Sequence, residues 1–121
     1  MLQRLLQCLW LLSILLVVTG SLLPAASPAM RAVERLPLNH QLMHFCAYTS
    51  AALMALLALR RTPIAMGAAL ALILLGVALE FVQKLVPGRG FEIRDMFINA
   101  FGVLTGIAIG LLSRRQTIWS A

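Results

Sequence analysis

Charge is scarce in this sequence. Only 12% of its 121 residues are Asp, Glu, Lys or Arg, against about 25% in an average soluble domain. Hydrophobic residues make up 61% and mean hydropathy is +0.94, so the composition belongs to the membrane class. Acids are scarcer still. Four Asp/Glu face ten Lys/Arg, a net charge of +6. A nucleic-acid binder would gather its basic residues on one water-exposed face with aromatics between them. Here they sit at the ends of apolar runs, where they set topology and meet headgroups. Nucleic acid is therefore excluded as a partner, and the lipid bilayer is the first one.

Cysteine is limited to Cys8 and Cys46. Each lies in or beside an apolar run without a second thiol at metal-site spacing, and both read as small buried hydrophobes. Gln7 stands before Cys8 where a lipoprotein cysteine has a small residue. Also missing is an H-E-x-x-H pair, and no Ser or Thr holds a recognisable nucleophile spacing among the polar residues. His40 and His44 share a helical face at i, i+4, and Glu80 or Asp95 could add a carboxylate. His40, however, falls at the fraying start of its helix. No metal is assigned, and no cofactor is indicated.

What the chain does have is four apolar stretches, each near the about 20 residues needed to cross a hydrocarbon core about 30 Å thick. The expected fold is all-α, a small antiparallel bundle of four transmembrane helices. Residues 1–23 form the first helix, with a signal peptide as the alternative reading. Residues 24–41 form an extracytoplasmic loop in which Met30, Val33 and Leu36 predict a short amphipathic helix over Ala29 to Leu36. Asn39 is the expected N-cap of the next helix. Residues 42–115 hold the other three spans, about Leu42–Leu59, Ile64–Val86 and Asp95–Leu112, and 116–121 form a short tail whose Trp119 suits the interface. Pro63 fits a first helical turn, and Pro87-Gly88 marks a turn. Gly76, with Gly102, Gly106 and Gly110 at four-residue steps, predicts close helix packing.

Orientation follows the arginines. Arg4, Arg60, Arg61, Arg114 and Arg115 lie tight against span ends on one side, uncompensated by acids. Arg31, Arg35, Lys84, Arg89 and Arg94 share the other side with every acid in the chain. Both termini are accordingly expected in the cytoplasm.

Helix count alone brings three polar groups to one membrane side: His44 and Tyr48 on span two, Glu80 and Gln83 on span three, and Arg89, Asp95 and Asn99 around the start of span four. Glu80 is expected about 9 Å inside its helix end. A carboxylate there must be paired, protonated or beside water. Arg89 is the expected bidentate partner, with His44 as another. These residues either lock the bundle together or form a site, and Asp95 can simply serve its own helix N-terminus.

Taken together, His44-Phe45-x-x-Tyr48, Gly76-x-x-x-Glu80-x-x-Gln83 and Pro87-Gly88-Arg89-x-Phe91-x-x-x-Asp95-x-x-x-Asn99-x-x-Gly102 resemble the VanZ-like family, four-helix bacterial membrane proteins named for a teicoplanin-resistance protein. The likeness runs from about Asn39 to Leu112. It departs at His40-Gln41, where members often carry Asp-Lys. The resemblance implies a bacterial inner-membrane protein linked to the cell envelope and supplies no established reaction.

Three roles stay open. One is a binding or accessory protein whose outer-face pocket engages an envelope lipid or a glycopeptide. The second is an enzyme on a lipid-linked substrate, with Glu80 or His44 as acid–base group. The third is a structural or homo-oligomeric role, or packing with a membrane-protein partner, through the glycine face.

Overall fold

The computed structural model describes the backbone of residues 1–120 and side chains through residue 116; the interfacial role expected of Trp119 lies outside the described residues. Five helices follow one another: α1 (Leu2–Leu22), α2 (Pro28–Glu34), α3 (His40–Ala58), α4 (Thr62–Gln83) and α5 (Ile93–Ser120). Four of them, α1, α3, α4 and residues Ile93–Gln116 of α5, are long and apolar enough to cross a membrane. The all-helical four-span architecture expected from the sequence is the one observed.

Local chemistry explains the boundaries. Ser27 caps α2 by accepting from the Met30 amide at 3.3 Å, and Pro28 follows in the first turn. The Asn39 side chain accepts from the Leu42 amide at 2.7 Å and starts α3, as its residue type predicts. Pro63 stands in the first turn of α4, where its missing N–H costs nothing. Gly88 turns the α4–α5 connection at φ +75°, and a Cβ there would come within 2.8 Å of the Ala25 Cβ. The Ala25 amide donates to the Pro87 carbonyl at 3.2 Å, docking this turn on the end of α1.

Lipid is as apolar as leucine, so helices in a bilayer gain little from burying large side chains and associate through close contact instead. The core is accordingly alanine-rich. Ala51, Ala52, Ala55 and Ala58 of α3 and Ala65 and Ala69 of α4 are fully buried, while Leu5, Leu12, Leu15, Leu74 and Phe101 face outward. Gly102, Gly106 and Gly110 pack against α3 of the same chain. A Cβ on Gly106 would collide with the Thr49 carbonyl oxygen and lie 2.9 Å from the Ala52 Cβ, and one on Gly110 would lie 2.5 Å from the Leu56 Cβ. The glycine face considered for oligomerisation is thus occupied within the chain. Cys8 and Cys46 are exposed rather than buried.

Gly106→Leu is expected to destabilise the detergent-solubilised protein by about 2–3 kcal/mol through overpacking. Gly67→Ala, where an added Cβ meets nothing within 4 Å, should be neutral or stabilise by up to about 1 kcal/mol. Thermal unfolding of the two variants checks the contrast.

Candidate functional site

The end of α1, the start of α3, the end of α4 and the start of α5 meet at one face of the bundle. α3 and α5 run parallel there, and their polar residues pair with a constant offset. His40 Nε2 lies 3.1 Å from Asp95 Oδ2, and His44 Nδ1 lies 2.9 Å from Asn99 Oδ1, both pairs 55 residues apart. The Asn99 carbonyl oxygen can only accept, so His44 Nδ1 carries the proton and donates. That leaves His44 Nε2 on the other side of the ring, 3.9 Å from Asp95 Oδ2. Asp95 is in the first turn of α5 and only 2% exposed. Its carboxylate turns toward the histidines, and Oδ1 has no hydrogen-bond partner.

Glu80 and Arg89 do not pair with each other, contrary to the expectation from their sequence. Each serves a helix end. Glu80, 1% exposed, accepts from the Glu92 amide at 2.9 Å, just ahead of α5. Arg89 donates from Nε to the Leu23 carbonyl at 3.0 Å and from Nη2 to the Gly20 carbonyl at 2.5 Å, and Nη2 also reaches Met30 Sδ at 3.3 Å. Gln83 adds a bond to the Ser21 carbonyl at 3.0 Å. The carbonyls at the end of α1, which have no partner within their own helix, thus receive three donors from the α4–α5 region. A guanidinium at a helix C-terminus and a carboxylate at an N-terminus also suit the helix dipoles. Glu80 is shallower than expected as well. α4 ends at Gln83 rather than near Val86, so the carboxyl lies about 4.5 Å from the helix end.

Two cavities meet here. One, about 220 Å³, is lined mainly by apolar groups of α1, α2 and α3, among them Leu16, Val17, Val33 and Ala47, with His44 and Tyr48. The other, about 320 Å³, is lined by Glu34, Gln83, Glu92 and Asp95. Met30, His40, Met43 and Arg89 line both. Glu80 and Asn99 line neither, so Glu80 has no access from these cavities for the acid–base role considered for it. Gly76 makes the inner wall possible: a Cβ there would stand 3.2 Å from the Tyr48 ring and 3.4 Å from the Asn99 Cβ.

The structure therefore gathers all seven residues expected at this face, and it adds His40. Its place at the first position of α3 suggested a frayed side chain, yet Asp95 holds the ring. The signal was present as the i, i+4 histidine pair facing the i, i+4 pair Asp95/Asn99.

With this geometry in place, the comparison with protein families is decisive. The VanZ/LLP1 family model matches residues 5–114. The chain belongs to the VanZ/LLP1 family. The match takes in α1 as well as the three-helix core, farther than the motif likeness reached. No curated protein and no solved structure matches the chain.

Glu80→Gln keeps an oxygen that accepts from the Glu92 amide and should cost less than about 1 kcal/mol, whereas Glu80→Leu strands that N–H and should cost about 1–3 kcal/mol. Arg89→Gln, which releases the end of α1, should match or exceed the Glu80→Leu loss. Unfolding of the purified variants ranks them. Equal losses for Glu80→Gln and Glu80→Leu would contradict the helix-end role.

Proposed function

We propose that this VanZ/LLP1 member is a bacterial inner-membrane binding or accessory protein of the cell envelope, with its cleft on the outer face and both termini in the cytoplasm. Its ligand is an amphiphile with a polar headgroup, such as a lipid-linked envelope precursor. One observation carries the reading: the apolar cavity between α1 and α3 adjoins a more polar one, and Met30, His40, Met43 and Arg89 line both. An acyl or prenyl chain suits the first and a polar headgroup the second. Apolar clefts with a few convergent polar groups are the usual form of a small-molecule site, and buried ionisable groups in a membrane span favour function over packing alone. Altered susceptibility to a glycopeptide such as teicoplanin would follow if the ligand is a precursor those drugs also engage. The orientation rests on the uncompensated arginines at the opposite face. An impermeant thiol reagent on intact cells should label Glu34→Cys but not Arg115→Cys, in a background free of Cys8 and Cys46.

Ala47 lines the apolar cavity and none of the polar one. Ala47→Phe should fill that space and weaken binding of a polyprenyl phosphate by at least about tenfold, the equivalent of about 1.4 kcal/mol, with unfolding unchanged. Tryptophan fluorescence or native mass spectrometry reads the binding. A normally folded Ala47→Phe protein that binds the probe as tightly as wild type would contradict the amphiphile reading.

A further inference from the structure

Between the two cavities stand three groups of the kind that bind metals. His40, His44 and Asp95 each present one ligand atom, and these atoms lie within 4.8 Å of one another. His40 Nε2 and His44 Nε2 are 3.1 and 3.9 Å from Asp95 Oδ2. Around a tetrahedral ion with bonds of about 2.0–2.1 Å, ligand atoms are separated by about 3.3 Å. The trio thus closes on an ion with side-chain movements of about 1 Å or less, and His40 has room for them because its side chain is 45% exposed.

Three further observations point the same way. Asp95 Oδ1 is buried without a hydrogen-bond partner, an arrangement costly for a carboxylate that meets no further cation or donor. His44 donates its other ring nitrogen, Nδ1, to Asn99 Oδ1 at 2.9 Å. That bond both frees Nε2 and holds the ring, as the outer partners of metal-binding histidines do. Charge balance is the third. Glu80 lies within electrostatic range of Asp95 and of Glu92, and the nearby Arg89 guanidinium makes its hydrogen bonds to the α1 carbonyls and Met30 rather than to a carboxylate. A divalent cation would offset carboxylates that the membrane otherwise leaves undercompensated.

We propose that His40 Nε2, His44 Nε2 and the Asp95 carboxylate bind a first-row divalent transition-metal ion of the zinc class. Two imidazoles and one carboxylate suit such ions, whereas calcium and magnesium prefer all-oxygen sets. Three protein ligands leave at least one coordination position open, as in zinc sites that bind water or substrate. His40 and Asp95 both line the polar cavity, so the open position faces the space assigned to the headgroup, and a phosphate or carboxylate oxygen is its expected occupant. The ion's binding does not depend on the amphiphile reading and is measured without any lipid ligand.

The test uses the full chain purified without a polyhistidine tag, stripped with chelator and titrated with zinc, then dialysed and assayed for bound metal. One zinc per chain is expected. His40→Ala and Asp95→Asn should each weaken it at least about tenfold, and Asn99→Ala, which loses only the outer partner, by about 10–100-fold. Cobalt loaded in place of zinc should show the ligand-field bands of a low-coordinate nitrogen–oxygen site, absent from His40→Ala. Because His40 is an exposed first-turn residue, His40→Ala should fold, with its unfolding temperature without metal lowered only by the loss of its bond to Asp95. A stripped wild-type protein that retains no zinc, or zinc bound equally by wild type and folded His40→Ala, would overturn the proposal. In either case the His40–Asp95 contact would be a hydrogen-bonded pair alone. The Ala47→Phe result would be unaffected by that failure.

Discussion

A helix that ends within or against a membrane leaves carbonyls and amides that water cannot reach freely, and the protein must supply their partners. That constraint governs the whole arrangement. At one face Arg89 and Gln83 cover the carbonyls that end α1, and Glu80 accepts the amide that leads into α5. At the opposite face Arg114 does the same for α3, donating to the Leu56 carbonyl at 2.7 Å, to Leu59 and to Thr62 Oγ1, while Gln3 donates to Ala58. These polar residues are in the first place the means by which three helix ends are closed. Those left over are free to serve a site.

Packing sets which residues are left over. The glycine stripe lets α5 approach α3 to backbone contact, and Thr49 Oγ1 donates to the Gly102 carbonyl at 3.0 Å within that seam. Since the two helices run parallel in fixed register, the seam that seats Gly102 and Gly106 against Phe45 and Thr49 also sets Asp95 against His40 and Asn99 against His44. Small residues deep in the span therefore determine the geometry of ionisable ones at its edge. α1 and α2, attached through Arg89 and the Pro87–Ala25 contact, then close the apolar cavity from the other side.

Much of this could be read from the sequence. The four spans, the Asn39 cap, the short helix after α1, the Pro63 start and the meeting of three polar groups at one face all follow from hydropathy, capping chemistry and helix count, and α2 came out as Pro28–Glu34 within two residues of expectation. What could not be read was pairing. Glu80 and Arg89 are complementary in charge and close in sequence, which suggested an ion pair, but a helix end is also a partial charge and here it wins both residues. Arg114 suggested only a topological charge for the same reason. The sequence argues against His40 because a first-turn residue is loosely held by its own helix. Its restraint comes from α5, 55 residues away, which no local pattern contains.

On the proposed reading, the polar face divides into a frame, Arg89, Gln83 and Glu80, and a working centre, His40, His44 and Asp95. The most direct measurement is envelope-drug susceptibility, teicoplanin included, in a strain lacking the protein and complemented with wild type, His40→Ala or Arg89→Gln, with membrane levels determined for each. The division predicts that His40→Ala accumulates at the wild-type level without restoring the phenotype, whereas Arg89→Gln fails in proportion to its loss from the membrane. Full complementation by His40→Ala would contradict it and would leave the polar face as a structural closure of helix ends.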